Sequence, residues 1–188
     1  SSFKAIVLVS RKPKIFIAGA DIEEIKKITD KDECLKLLDK AHAIFNAFED
    51  LKIPTVTAIN GACLGGGCEL VMCADYRLAS DSRDTKIGLP ETNLGIFPGF
   101  GGCVRLPRIV GLQSSLEIIL AGKAIDGKKA AKIGLVDECV PEQQLEARAM
   151  KLAEEIASGK KGKRQRRFKA RSMVEKVLES ALGRPVVF

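Results

Sequence analysis

Two glutamates stand where a carboxylate could do acid–base work. Glu69 follows Gly65-Gly66-Gly67 by one residue, Cys68, and Leu70 and Val71 come next. A glycine turn followed by such a run predicts the first turn of a buried helix. A buried carboxylate is costly unless it has partners or a task. The competing reading is a plain helix-start glutamate, favoured there by the helix dipole. Glu91 follows Gly88-Leu89-Pro90 in a stretch rich in glycine and apolar residues, and its plain reading is a structural acid. Two glycine turns, Gly19-Ala20-Asp21 and Gly65-Gly66-Gly67, each lead into a predicted helix. Glycine there lets the chain approach a ligand closely, and the helix start behind it offers free N–H donors. Two such donors converging on one point would polarise a carbonyl oxygen. A pair of carboxylates beside it would suit proton transfer. The triple glycine alone is equally consistent with a tight strand-to-helix crossing.

Other chemistries find less support. Gly99 and Gly101-Gly102 approach a dinucleotide fingerprint, but Pro98 intervenes and no β-rich run leads into them. The six cysteines form no C-x-x-C pair and His42 is the only histidine, which argues against a zinc site. Most of the cysteines sit among apolar neighbours and read as small buried hydrophobes, reduced in a cytoplasmic protein. His42 lies one position beside an apolar helical stripe and reads as structural rather than catalytic. With 188 residues, 46% of them hydrophobic, the chain suits one domain with a real core. No apolar run approaches the length of a membrane span. The start, Ser1-Ser2-Phe3-Lys4, lacks a signal-peptide pattern and opens almost at once into a strand-like run, as an internal part of a longer gene product would. The net charge of +7 is concentrated in residues 160–171, which carry eight basic and no acidic side chains. A loosely packed, solvated linker or helix start is the simpler reading. Nucleic-acid binding is the alternative, without an aromatic stacking set to support it.

The elements that must position these residues follow from periodicity. Residues 5–9 and 15–17 are short apolar strands. Asp21 and Glu24 have capping-box spacing and predict a short helix over 22–28. Leu35, Leu38, Ala41, Phe45 and Phe48 predict an amphipathic helix over 32–51. Pro54 ends that pattern, and strands follow over 55–59 and 76–79, with the glycine turn and the Glu69 helix between them. Residues 86–102 read as loop. Helices are expected near 101–110, 114–121, 127–133 and 141–158, with a strand over 135–140 and a last helix over 165–182. The alternation implies an α/β fold with parallel pairing. Pattern alone leaves both a stacked spiral and an open doubly wound sheet.

The motifs Ile17-Ala18-Gly19-Ala20-Asp21-Ile22, Asn60-Gly61-Ala62-Cys63-Leu64-Gly65-Gly66-Gly67-Cys68-Glu69-Leu70, Gly88-Leu89-Pro90-Glu91 and Pro98-Gly99-Phe100-Gly101-Gly102 occur in this order. Ala121-Gly122-Lys123 and Ile133-Gly134-Leu135-Val136-Asp137 come later. In order and spacing these resemble the crotonase (enoyl-CoA hydratase/isomerase) superfamily over roughly residues 5–155. Phe100 within the second glycine cluster and Cys103-Val104-Arg105 after it resemble the hydratase/isomerase domain of the bacterial multifunctional fatty-acid oxidation complex alpha subunit.

The resemblance implies an α/β, crotonase-like (ClpP/crotonase) spiral of repeated ββα units, truncated at both ends. Residues 1–159 would form the hydratase/isomerase core, and 160–188 a basic linker and the start of a C-terminal helical region. It implies addition of water to a 2-trans-enoyl-CoA in fatty-acid β-oxidation, with 3-enoyl/2-enoyl isomerisation as a possible second activity. The backbone N–H groups of Ala20 and Gly66 would hold the thioester oxygen. Glu69 and Glu91 would hold and activate water, and Glu91 would also protonate the α-carbon. Ala18, Asp21 and Ile22 would lie along bound CoA, and Gly99 would line the acyl site. The thioester is substrate, so no cofactor or metal is implied, and NAD would belong to a separate dehydrogenase domain. A cytoplasmic homo-oligomer is expected, with a thiolase subunit as a possible partner of the parent protein. Because the family has further segments at both ends, residues 1–188 alone are expected to hydrate poorly and to self-associate. A binding or assembly module is the non-enzymatic alternative.

Overall fold

The computed structural model describes residues 3–19, 23 and 27–162. Eight strands lie in two four-stranded sheets. The first holds β1 (Ile6–Val9), β3 (Thr55–Ile59), β5 (Tyr76–Ser80) and β8 (Glu138–Val140), in the order β1-β3-β5-β8, all parallel. The second holds β2 (Ile15–Ile17), β4 (Ala62–Leu64), β6 (Lys86–Gly88) and β7 (Ala124–Ile125), in the order β2-β4-β6-β7, with only β7 antiparallel. Successive turns of chain therefore give one strand to each sheet: β1 then β2, β3 then β4, β5 then β6. This is the stacked spiral, and it removes the single doubly wound sheet that the sequence pattern left open.

Six α-helices complete the described fold: α1 (Lys31–Glu49), α2 (Gly66–Met72), α3 (Gly102–Val110), α4 (Leu112–Leu120), α5 (Gly127–Ile133) and α6 (Leu145–Ala157). On α6 the residues Leu145, Ala149, Leu152, Ala153 and Ile156 recur at helical spacing and pack on Val56, Ala58, Tyr76 and Leu78 of the first sheet. A second core, around Ile59, Cys63, Val71, Ile87, Leu106 and Ile133, joins the second sheet to α2–α5. β3 and β5 are buried along their whole length, as parallel strands covered on both faces must be. The polar groups carried into this core are partnered. Thr55 and Asp75 bond each other through side chain and backbone. Buried Arg77 donates to the carbonyls of Ala74 and Leu135, and its own N–H is accepted by Asp137. The Gly134–Asp137 motif thus pins β5.

Several sequence expectations need correction. Residues 86–88 form a strand rather than loop, and 91–94 form a 3-10 turn. The strand expected over 135–140 begins only at Glu138, because Leu135 and Val136 bond back to Ala130 and close the end of α5. None of α1's residues is fully buried. Its apolar stripe is half-buried at Leu38, Ala41, Phe45 and Phe48, while Leu35 is exposed. Only Cys63, Cys68 and Cys73 are buried. Cys34 and Cys103 are exposed and Cys139 lies between, because the helix of Cys34 only half-covers the core. Residues 161–162 are docked rather than loose: the Tyr76 hydroxyl donates to the Gly162 carbonyl at 2.8 Å, and Lys161 lies over the Tyr76 ring. The helix over 22–28 with its Asp21–Glu24 box, the remainder of the basic run and the helix over 165–182 lie outside the described residues.

Candidate active site

Glu69 sits in the first turn of α2, as its spacing from the glycines predicts, and is 1% exposed. Glycine is required around it. Gly65 has φ 53° and ψ −127°, and a Cβ on Gly67 would collide with the Ile17 carbonyl oxygen at the end of β2. These two positions let strand β2 lie directly against the start of α2. Gly19 packs on the same turn, with its Cα 3.9 Å from the place a Gly65 Cβ would occupy.

The Glu69 carboxylate is held from the opposite side. Its Oε1 accepts the N–H of Phe100 at 2.8 Å and that of Gly102 at 2.7 Å. The second glycine cluster is therefore a cradle for a side chain, and not for a dinucleotide. Burial nevertheless pushes the Glu69 carboxyl up to about 7, with the Glu91 charge adding to the rise and the two N–H groups and Arg105 opposing it.

Glu91 opens the 3-10 turn Glu91–Leu94. That turn is fixed by the end of α4 and by one of the later motifs. Thr92 donates to the Ile119 carbonyl, and Asn93 donates to the carbonyl of Gly122 in the Ala-Gly-Lys stretch. Glu91 Oε1 lies 3.1 Å from where a Gly65 Cβ would be, so this carboxylate faces the triple-glycine turn. Its Oε2 is buried without a hydrogen-bond partner among the described residues. Burial raises its carboxyl above the ordinary value.

Both glutamates line one pocket of about 390 Å³. Ala18, Gly66 and Gly99 line it too. Leu37, Leu38, Leu94 and Phe97 make its wall apolar. Ala20, Asp21 and Ile22 lie outside the described residues, so of the proposed donor pair only Gly66 is placed. Sequence reasoning passed over two residues that buttress the site. Arg105 donates to the Phe100 carbonyl and pairs with Glu49 and Asn46 of α1. His42 lies 2.6 Å from the Gly99 carbonyl oxygen. No local signal marks either as part of the site, because α1 reaches the glycine cluster only on folding.

The enoyl-CoA hydratase/isomerase family model matches residues 1–183. The chain belongs to this family. It is 44% identical over 190 residues to the fatty acid oxidation complex subunit alpha of Vibrio campbellii, and 45% over 185 residues to that of Aliivibrio fischeri. These alignments cover 100% and 98% of this chain but only 26% of either relative, so the chain spans about a quarter of their length. Among solved structures, the enoyl-CoA hydratase of Bacillus anthracis superposes with a TM-score of 0.77 at 37% identity, over 82% of this chain and 59% of that one. The spiral of two sheets is thus the crotonase fold. Among the described residues no helix is long and apolar enough to cross a membrane.

Proposed function

We propose that this chain carries the site of an enoyl-CoA hydratase, which adds water to a 2-trans-enoyl-CoA and gives the 3-hydroxyacyl-CoA. The observation that carries this reading is the pair Glu69 and Glu91. Both line one apolar pocket beside the Gly65–Gly67 turn, and burial raises both carboxyls, that of Glu69 to about 7. Proton transfer at neutral pH is most efficient from groups whose acidity lies near that pH. In this reading the thioester oxygen sits against the Gly66 N–H, at the start of α2, and the Ala20 N–H completes the pair. Polarising that carbonyl makes the β-carbon electrophilic and stabilises the enolate that forms. Water held between the two carboxylates gives its hydroxyl to the β-carbon and its remaining proton to Glu91. Glu91 passes that proton to the α-carbon of the enolate, and the site returns to its starting protonation. Atoms balance without an oxidant, a metal or a nucleotide cofactor. The apolar wall, with Leu38, Leu94 and Phe97, takes the acyl chain.

Isomerisation of a 3-enoyl thioester fits the same pocket. The unpartnered Oε2 of Glu91 favours it as a second activity, since moving one proton between two carbons needs one free base. Service in fatty-acid oxidation belongs to this reading and is supported by the names of the relatives; a cytoplasmic homo-oligomer and association with a thiolase subunit are part of the proposal.

The test follows loss of enoyl-thioester absorbance with a short 2-trans-enoyl-CoA, on the chain and on any longer product of its reading frame. Glu91→Gln should lower turnover about 10²-fold or more while thioester binding is kept. Near-normal hydration by that variant would overturn the role of Glu91.

A further inference from the structure

We propose that His42 is a positioning residue for Glu69, acting through the peptide unit that joins Gly99 to Phe100. The inference rests on the reading of Glu69 as an acid–base group.

His42 Nε2 lies 2.6 Å from the Gly99 carbonyl oxygen. A carbonyl has no proton to give, so Nε2 is the donor, and the ring is either the Nε2–H tautomer or the imidazolium. The N–H of the same peptide unit, that of Phe100, donates to Glu69 Oε1 at 2.8 Å. The two bonds therefore form one chain: imidazole N–H to Gly99 C=O, then Phe100 N–H to carboxylate. A peptide whose oxygen accepts a hydrogen bond becomes a better donor at its nitrogen, because the amide polarises as a unit. His42 both fixes the plane of this peptide and strengthens its hold on Glu69.

The second donor to Glu69 is arranged in the same way without a side chain. The Gly102 N–H shares its peptide with the Gly101 carbonyl, which accepts from the N–H groups of Val104 and Arg105. Only the Gly99–Phe100 peptide depends on a side chain for this support, and that side chain comes from another element. Leu38, His42, Phe45, Asn46 and Glu49 lie along one face of α1 and meet the glycine cluster there. Leu38 abuts Gly99, Phe45 packs edge-on against Phe100 with ring centroids 5.6 Å apart, and Asn46 and Glu49 hold Arg105. The charged groups around the relay are thus Glu69, Glu91, Arg105 and Glu49. Half-burial of His42 and its short bond to a backbone oxygen are what a group acting on the site from behind requires. It does not line the pocket.

Two near-isosteric variants separate this role from mere packing. The amide nitrogen of glutamine reaches as far along the side chain as Nε2, whereas that of asparagine reaches only as far as Nδ1. In His42→Asn the relay is cut, and in His42→Gln it is restored. The direct readout is titration of the Glu69 carboxyl by carbon NMR on the selectively labelled chain, which needs no activity. His42→Asn should move the Glu69 midpoint upward by about half a pH unit or more, and His42→Gln should bring it back toward wild type. In the hydration assay, kcat should fall about tenfold in His42→Asn with KM within about twofold, and recover in His42→Gln. A Glu69 titration unchanged in His42→Asn, or moved equally in both variants, overturns the proposal. A wild-type chain that titrates as described, with no thioester hydration by it or by the longer product of its reading frame, would instead refute the hydratase reading and leave the relay standing.

Discussion

Replacing Glu69 with glutamine should make the protein more stable, and increasingly so as pH rises. The amide oxygen can still accept the N–H groups of Phe100 and Gly102, while the buried charge is gone. In the fold this carboxyl is pushed from 4.5 up to about 7, first by burial. A carboxyl whose value is raised on folding binds its proton more tightly in the native state. Its stabilising contribution is therefore complete below 4.5 and is lost as pH climbs through about 7. Each pH unit between the two values is worth about 1.36 kcal/mol, so the ionised group costs the fold about 3 kcal/mol at alkaline pH. At pH 5 the native carboxyl is still protonated and most of the unfolded ones are not, so a minor part of that cost is already present. The stability of Glu69→Gln relative to wild type should thus grow by about 2–3 kcal/mol between pH 5 and pH 8. Glu91 acts in the same direction, because neutralising its neighbour also eases its own ionisation. Urea unfolding of both proteins across this range measures the difference directly. Every other titrating group cancels in the comparison. A difference that stays flat, or shrinks with rising pH, would refute the claim that the fold strains this carboxylate for catalytic use.

Other perturbations follow from the same geometry. Gly66→Pro removes one backbone donor at the first helical position, where proline is tolerated; kcat/KM for hydration should fall about 10²–10³-fold while the thermal midpoint moves by only a few degrees. Gly67→Ala puts a methyl group into the Ile17 carbonyl, and urea unfolding should show a loss of more than about 2 kcal/mol. Arg77→Leu leaves the Ala74 and Leu135 carbonyls without their buried donor and should cost about 3 kcal/mol by the same measurement, although Arg77 does not line the pocket.

The sequence by itself determined the local units. The glycines and the start and stop signals at element ends placed α2, α5 and α6 closely, because each of those signals acts within a few residues along the chain. It also determined which side chains could do chemistry. Glu69 and Glu91 stood out as carboxylates in apolar surroundings, and the four ordered motifs tied them to one family. Residues 86–88 were missed as a strand because three residues carry too little periodicity, and their pairing partners lie on β4 and β7, far along the chain. The choice between one sheet and two rests on such pairings, and no local pattern encodes them. Tertiary structure alone decided what the second glycine cluster holds. Pro98 through Gly102 wrap a carboxylate, and the direction of their N–H groups is fixed by α3 behind them and α1 in front. It also gave His42 and Arg105 their place, since both belong to the site only once α1, more than fifty residues before Gly99 in the case of His42, folds back onto the glycine cluster. The acidity of Glu69 is likewise a tertiary property, because it arises from burial against elements that the chain brings together only on folding.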